Sequence, residues 1–263
     1  MIIQARAKAQ SEAHTASEES SDNGYQNAEQ AYLERAALPV QTLKDMGYTQ
    51  EQIDILKAYD GGPLEEHPEL AAASSALTIT SSKLVMSKTR AGAQFKWSWS
   101  SFPVYHGKDA VAVAWIGTSK EGLTLNANLD TSNSITVVEY YIGAANVVNS
   151  TEKPELKTPG TSKKYFSSDV SLTIGASNGS VAYARSGYVK AYANTVAGTT
   201  GEFQEFDFVF EYAHSSYTLN LDWSFAVDSN GGISIGVSPS LKDKVTEYVS
   251  GISMNLNGTV TRS

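Results

Sequence analysis

Cysteine is absent from this chain of 263 residues. Its absence excludes disulfides, thiol nucleophiles and every zinc or iron–sulfur site that depends on cysteine ligands. Histidine is scarce as well, and the four histidines include no pair spaced i, i+2 or i, i+4 and no HExxH motif. Because zinc sites are typically built from such pairs, we expect no metal site.

Glycine motifs that bind phosphate are also missing. The chain contains neither GxxxxGK[ST] nor GxGxxG, and no G-x-S-x-G precedes a predicted helix. Such motifs arrange backbone amides around phosphates, or present a serine nucleophile at a strand-to-helix turn. We therefore expect no cofactor and assign no catalytic residue.

Positive charge is in deficit, with a net charge of −8 and a sequence pI near 5.1. An acidic balance repels nucleic acid and anionic lipid at long range. The longest basic run is only the pair Lys163 and Lys164. No apolar run approaches the ~18 residues of a membrane-spanning helix. The sequence thus predicts no nucleic-acid partner and no transmembrane segment.

The chain opens with a short apolar stub, Met1-Ile2-Ile3, and residues 10–26 are polar, acidic and without hydrophobic period. This predicts a disordered tail over 1–26. Within it, Ala5-Arg6-Ala7 and Ala7-Lys8-Ala9 fit the small-x-small pattern that signal peptidase cleaves. The tail is either the remnant of an export signal, truncated in this chain, or an ordinary mobile N-terminus.

Helical periodicity follows the tail and ends at a Gly-Gly-Pro sequence. Thr49 and Gln52 form a capping-box pattern, which is typical of a helix start. We predict a small helical hairpin over 27–62 and a linker over 63–76, where prolines and an Ala/Ser run interrupt the period.

From residue 77 onward the period becomes two, as in β-strands. The run Phe206, Phe208, Phe210 and Tyr212 alternates with polar residues, and Asn230-Gly231 is typical of a hairpin turn. About ten such strands predict an antiparallel β-sandwich over 77–263, closer to a jelly roll than to a closed barrel.

Three of the four tryptophans lie in the segment FKWSWSSFPVYHGKDAVAVAWIG, residues 95–117. Phe95, Trp97 and Trp99 alternate with Lys96, Ser98 and Ser100, so a strand places the rings on one face and the polar residues on the other. Burial of such rings stabilises a fold that lacks disulfides. We expect these tryptophans to belong to the core, and a ligand platform is the alternative.

Tyrosines offer a better ligand surface in the segment GSVAYARSGYVKAYANT. Small apolar residues alternate there with aromatic and basic ones, which a strand would present to solvent. Exposed rings interleaved with hydrogen-bonding groups are typical of sugar- and peptide-binding sheets. The predicted ligand-binding residues are Tyr183, Arg185, Tyr188, Lys190 and Tyr192.

Carboxylates provide a weaker, catalytic alternative. Asp207 and Glu211 share a polar face, and Asp222 and Asp228 fall in polar phase on the next predicted strand. If these two strands paired as a hairpin, their acids would lie opposite each other, as in glycosidases. A solvated acidic face is the competing interpretation.

Three segments carry a resemblance: LKDMGYTQEQIDIL, FKWSWSSFP and DAVAVAWIG. On these the chain is similar to uncharacterised exported β-rich proteins of Gram-positive bacteria, which implies an architecture and an address but no activity. LKDMGYTQEQIDIL also resembles the first half of a ubiquitin-associated domain, whose third helix has no counterpart here.

The sequence therefore predicts a non-catalytic β-sandwich at the cell surface or outside the cell, with a binding or structural role. Its expected partners are a glycan or another surface protein, and self-association is open. A membrane-active β-pore-forming protein, suggested by the Ser/Thr-rich alternation over 170–200, and a carbohydrate-active enzyme with paired acids are the alternatives.

Overall fold

The computed structural model describes residues 29–73, 75–104, 107–142, 147–158, 164–176, 181–196, 198–215, 224–227, 233–236 and 245–262. It confirms the predicted fold class, since these residues form two antiparallel sheets preceded by a few short helices. The predicted tail over 1–26 lies outside the described residues. No helix in the described ranges is long and apolar enough to cross a membrane.

Three short helices come first: α1 (29–37), α2 (Val40–Asp45) and α3 (Gln50–Ala58). Helix α3 begins with the predicted capping box. Its Thr49 hydroxyl accepts from the Gln52 amide at 3.2 Å, and the Gln52 side chain accepts from the Thr49 amide at 3.0 Å. Two 3₁₀ turns, Leu64–Glu66 and Pro68–Ala73, follow within the stretch predicted as a linker. The predicted domain boundaries stay a prediction.

The strands in chain order are β1 (Leu77–Met86), β2 (Arg90–Trp99), β3 (Lys108–Thr118), β4 (Thr124–Leu125), β5 (Ala127–Leu129), β6 (Ile135–Tyr141), β7 (Ser150–Glu152), β8 (Tyr165–Ser171), β9 (Thr173–Gly175), β10 (Val181–Thr195), β11 (Glu205–Ser215), β12 (Ser224–Val227), β13 (Ile233–Gly236), β14 (Val245–Asn255) and β15 (Val260–Arg262). Sheet A has the order β1-β2-β10-β6-β7, with β5 and β9 also paired to β10. Sheet B has the order β15-β14-β11-β3-β4, with β8 paired to β3. Strands β12 and β13 pair only with each other among the described residues.

The core lies between the inner faces of the two sheets, where the aromatic alternation seen in the sequence interdigitates. Phe95 of β2 stacks on Phe210 of β11 with ring centroids 5.1 Å apart, and Trp97 meets Tyr212 edge-on at 5.1 Å. At the open side of this pair of sheets, β1 packs on β14, and the Arg262 Nε donates to the Ser81 carbonyl at 3.0 Å. The large rings therefore serve as the contact between the sheets.

The β12–β13 hairpin lies over one face of sheet B. Strand β13 packs against both β11 and β3, whose edges are already hydrogen-bonded to other strands. The outward-phase residues of β3, Ala110, Ala112 and Ala114, are fully buried, which places the hairpin on the outer face. Small side chains on β3 allow this close third layer.

The N-terminal helices form a second core that continues onto the end of sheet A. Phe102 and Val104 are buried with Leu43, Ile53 and Leu56 of the helices. The buried Arg35 guanidinium donates to the carbonyls of Phe102 at 3.5 Å and Pro103 at 3.1 Å, and to the Tyr48 hydroxyl at 3.0 Å. The helices are thus docked on the sandwich by apolar packing and by one buried cation.

Candidate functional site

The outer face of sheet A presents polar side chains in cross-strand rows. The register of β1, β2, β10 and β6 places directly opposed residues side by side, about 5 Å apart at Cβ. Three neighbouring rows result: Thr78, Ser98, Ser186 and Glu139; Thr80, Lys96, Tyr188 and Val137; Ser82, Gln94, Lys190 and Ile135. Four strands therefore contribute side chains to one surface.

A groove of about 480 Å³ runs across these rows. Its volume falls in the usual range for small-molecule sites, roughly 300–1,000 Å³. The groove is lined by Thr78, Thr80, Gln94, Lys96, Trp97, Ser98, Glu139, Ser186, Gly187, Tyr188 and Lys190. We take it as the candidate site, since it unites one ring with donors and acceptors from neighbouring strands.

Three functional groups in the groove are available to a ligand. The Lys190 ammonium lies 5.4 Å from the centroid of the Tyr188 ring, a cation–π distance. The Tyr188 hydroxyl and the ammonium groups of Lys96 and Lys190 form no hydrogen bond or ion pair with any residue that the structure describes. A ligand in the groove would therefore meet one ring and two cations without displacing an internal partner.

The opposite end of the groove carries a carboxylate that is already engaged. The Ser186 hydroxyl donates to Glu139, and the Tyr141 hydroxyl lies 3.0 Å from the same serine oxygen. These contacts hold Glu139 and Ser186 in place beside the floor at Gly187. The charges of the groove are therefore separated: Lys96 and Lys190 lie in two of the three rows, and Glu139 lies in the third.

Tyr188 and Lys190 are the predicted site residues that line the groove. Tyr192, on the same strand, lies beyond it: its ring covers Gly92, where an added Cβ would stand 2.5 Å from the ring. The Arg90 guanidinium stacks over that ring at 4.8 Å and pairs with Asp130 at 3.0 Å. Tyr192 is thus part of a packed cluster at the end of the sheet.

Tyr183 and Arg185 face the N-terminal helices. The Tyr183 ring stacks on Phe102 with centroids 5.1 Å apart, and the Arg185 guanidinium lies 5.7 Å from the Phe102 ring. A β-bulge between Ala184 and Ser186 shifts the register at this point, so the groove face begins at Ser186. The five predicted residues therefore lie in three different environments: the groove, the packed cluster at the end of the sheet, and the contact with the N-terminal helices. Their ligand-binding role stays a prediction.

The tryptophans of β2 are buried, as expected for core residues. Trp97 is 1% exposed and Trp99 is 3% exposed. Trp97 underlies the groove at Gly187, where an added Cβ would meet the indole at 2.5 Å. Gly187 therefore leaves space for the ring on the inner side, and the tryptophan forms a floor instead of a platform.

A buried polar cluster at the end of the core was missed by sequence reasoning. The Asp109 carboxylate is fully buried and accepts from the Tyr212 hydroxyl at 2.7 Å and from the Ser215 amide at 3.1 Å. His214 Nδ1 lies 2.9 Å from the same carboxylate, and the Trp99 ring packs on His214 at 4.8 Å. Burial, and then the Asp109 charge, raise the pKa of Tyr212 well above its usual value, so this phenol stays a donor.

A signal for that cluster was present in the sequence. Asp109 shares the inward phase of Val111, Val113 and Trp115, and His214 shares that of Tyr212. A carboxylate and an imidazole in the apolar phase of two strands indicate a buried polar pair.

The described acids lie in two different places. Strand β11 pairs with β14 and β3, and the described part of 217–227, strand β12, pairs with β13 and not with β11. Asp207 and Glu205 lie in a shallow depression of about 310 Å³ on sheet B. Glu211 is 1% exposed, on the face that the β12–β13 hairpin covers. Asp222 and Asp228 lie outside the described residues.

Within the ranges that the structure describes, no group of three or more His, Cys, Asp or Glu side chains could hold a metal ion. His67 lies 2.9 Å from the Glu69 carboxylate on the surface. His14 and His106 fall outside the described ranges.

No family model and no curated protein matches the chain. One solved structure with similarity is AvmM, which catalyses macrocyclization in alchivemycin A biosynthesis; it shares 7% identity at a TM-score of 0.25, over 60% of this chain and 86% of that chain. Another is a DUF4466 family protein from Parabacteroides merdae, with 13% identity and a TM-score of 0.23, over 63% of this chain and 44% of that chain. At these scores neither structure carries an argument about this protein.

Proposed function

We propose that this protein is a non-catalytic binding protein of the cell surface or the extracellular space, and that it binds a glycan in the groove on sheet A. The observation that carries the proposal is the juxtaposition of the Tyr188 ring with free donors from β2 and β10. Saccharides are recognised by a ring against their C–H face and by hydrogen bonds to their hydroxyls. The groove offers both on one rigid sheet.

The groove also has the rigidity that binding requires. Its floor is the central strand pair β2–β10, hydrogen-bonded from Arg90 to Ser98 on one strand and from Ser186 to Asn194 on the other. The inner side of this pair is packed on the aromatic core. A ligand would therefore meet preformed geometry, which lowers the entropic cost of association.

The extracellular address is part of the proposal and rests on the β-rich, Ser/Thr/Asn-rich composition of the chain, with which the absence of cysteine is compatible. Fractionation of producing cells tests it: the protein should occur in the medium or on the cell envelope. Recovery in the cytosolic fraction alone would contradict the address while leaving the groove untouched.

A glycan array with matched variants tests the binding role. Wild type should bind at least one glycan, and Tyr188→Ala should reduce that binding about tenfold, because removal of one stacking ring costs roughly 1–2 kcal/mol. Tyr192→Ala is the control, since it removes the same ring from the same strand outside the groove. Equal loss in both variants, or no binding by wild type, would overturn the proposal.

A second candidate function is membrane insertion by the β12–β13 hairpin. Among the described residues, β12 and β13 are hydrogen-bonded only to each other, and β13 packs on β3 and β11. The sequence through it alternates, with Tyr217, Leu219, Leu221, Trp223, Phe225 and Val227 before the turn and Ile233, Ile235 and Val237 after it. Membrane-crossing strands need about 9–11 residues of such alternation, a length that the run over 217–227 reaches and the run over 233–237 does not.

Dye release from liposomes tests this second function. Phe225→Asp places a charge in the apolar series and should abolish release, whereas Ser224→Asp, in the polar series of the same strand, should leave it intact. Wild-type protein that releases no dye at any pH would remove membrane insertion from consideration.

A further inference from the structure

We propose that the groove on sheet A is specific for an acidic saccharide, one that carries a carboxylate such as a uronic acid, over a neutral saccharide. This inference rests on the proposed function, because it names the ligand class of the same groove. The evidence is the charge pattern of the lining and the register that creates it.

The two lysines of the groove flank its ring on two sides. Lys96 is directly opposite Tyr188 across the β2–β10 pair, and Lys190 follows Tyr188 by two residues on the same face. Directly opposed residues stand about 5 Å apart and diagonal ones about 7–8 Å. Both ammonium groups thus reach the rim of a sugar ring that lies against Tyr188.

Neither lysine has an internal counter-ion among the described residues. Elsewhere in the described sandwich, Lys88, Arg90 and Lys157 hold carboxylates at 2.7–3.0 Å. The groove's own acid, Glu139, lies in the row of Ser186 and accepts its hydroxyl. A carboxylate on the ligand would therefore act as the counter-ion of Lys96 and Lys190.

The lining carries two ammonium groups and one carboxylate, while the whole chain carries a net charge of −8. A cationic patch on an acidic protein attracts an anion only locally, since fields are screened beyond about 8–10 Å at physiological salt. The geometry also assigns an orientation. The carboxylate faces Lys96 and Lys190, and neutral hydroxyls face Ser98, Thr78 and Glu139.

The test compares two probes that share a backbone and differ in charge. The full chain is titrated with oligogalacturonate and with its methyl ester. We expect the acid to bind at least tenfold more tightly than the ester, and its affinity to fall when sodium chloride rises from 0.15 to 0.5 M. The ester keeps the sugar ring and the hydroxyls, so the difference isolates the carboxylate.

The lysines are tested by Lys96→Gln with Lys190→Gln, which keep length and polarity. Because an exposed ion pair contributes up to about 1 kcal/mol, each substitution should weaken acid binding about threefold to fivefold. Ester binding should weaken less than acid binding, because glutamine keeps a hydrogen-bond donor and loses only the charge. Lys120→Gln, in the exposed turn between β3 and β4, is the control. Unchanged thermal unfolding confirms that the variants are folded.

The outcomes separate this inference from the proposed function. Equal binding of acid and ester, with loss of both in Tyr188→Ala, would overturn acid specificity and support a glycan groove. If the lysine variants and Tyr188→Ala leave acid binding unchanged, the ligand binds outside the groove. That result would overturn both the acid specificity of the groove and the proposed glycan site. Absence of binding to every glycan tested would overturn the proposed function itself.

Discussion

Individual side chains in this protein matter most where a polar group is enclosed by the core. Asp109 is the clearest case, because its full burial is compensated by donors from Tyr212, His214 and Ser215. Breaking such a buried network costs more than its hydrogen bonds contribute, since the group left behind stays desolvated.

Removal of the Tyr212 hydroxyl tests that cluster. Tyr212→Phe keeps the ring that packs on Trp97 and deletes the donor to Asp109. We expect a loss of about 1.5–3 kcal/mol in the free energy of unfolding, the usual contribution of a hydrogen bond to a charged group. Urea unfolding measures it. Tyr188→Phe makes the same change at a hydroxyl that has no partner in the described chain, and should stay within ~0.5 kcal/mol of wild type.

Gly187 is a second residue with a sharp requirement. An added Cβ would stand 2.4 Å from the Val137 carbonyl oxygen and 2.5 Å from the Trp97 ring. Gly187→Ala should therefore destabilise the sandwich by about 1–3 kcal/mol through overpacking. Gly175→Ala is the control, because no atom of the described residues lies within 4 Å of its Cβ position. Equal unfolding midpoints for the two variants would contradict this, because they would show that the Trp97 side chain can shift to accommodate the added methyl group.

At the scale of elements, the docking of the helices on sheet A depends on Tyr48 and Arg35. Burial raises the pKa of Tyr48 to about 12 from an ordinary 10.0, and the nearby Arg35 charge opposes that rise. The neutral phenol is thus favoured in the folded state. Its contribution is complete below pH 10, and is lost as the pH rises from 10 through 12.

An alkaline titration tests this linkage. Between pH 10 and 12 the wild type should lose about 1 kcal/mol of stability per pH unit because of Tyr48, since the phenol is only partly titrated at either end of this range. Tyr48→Phe should be less stable at pH 7, since it loses the contacts with Arg35 and Phe102, and its stability should fall less steeply above pH 10. Stability is measured by urea unfolding at each pH. Parallel curves for the two proteins would contradict the linkage.

Strand pairing is another property of elements, and the sequence indicated it only in part. Alternation predicted the inward and outward residues of β2, β10 and β11 correctly. Once the apolar residues of a strand are assigned to the core, a period of two fixes the face of every other residue. The pairing of 203–212 with 217–227, considered as one possibility, is not the pairing of the described residues, since β11 lies between β14 and β3 and β12 pairs with β13. Alternation reports which way a side chain points, and it does not report which strand lies alongside.

For the whole molecule, the packing is continuous from the helices onto sheet A. Phe102 of the helix core stacks on Tyr183, which belongs to β10. We therefore expect a single thermal transition for the described domain, with equal calorimetric and van't Hoff enthalpies.

Phe102→Ala tests that continuity. It should cost about 3–5 kcal/mol through the cavity left behind, and should separate the helices from the sandwich as an earlier transition. Scanning calorimetry distinguishes one transition from two. Two transitions in wild type would show that the helices already unfold independently.

Composition and periodicity alone determined the fold class, the helices ahead of the sheets, the burial of Trp97 and Trp99, and the common face of Tyr188, Lys190 and Tyr192. These are local properties, because propensity and the direction of a side chain depend on a few neighbouring residues. The grouping of the candidate site was decided by tertiary structure.

Only the register of three strands brought Lys96 of β2 and Glu139 of β6 to the same face as Tyr188 of β10. Only the docked helices and the bulge before Ser186 placed Tyr183 and Arg185 outside the groove. Asp109 likewise met His214 through the pairing of β3 with β11. Such contacts join residues that are distant in the chain, and no pattern within one strand contains them.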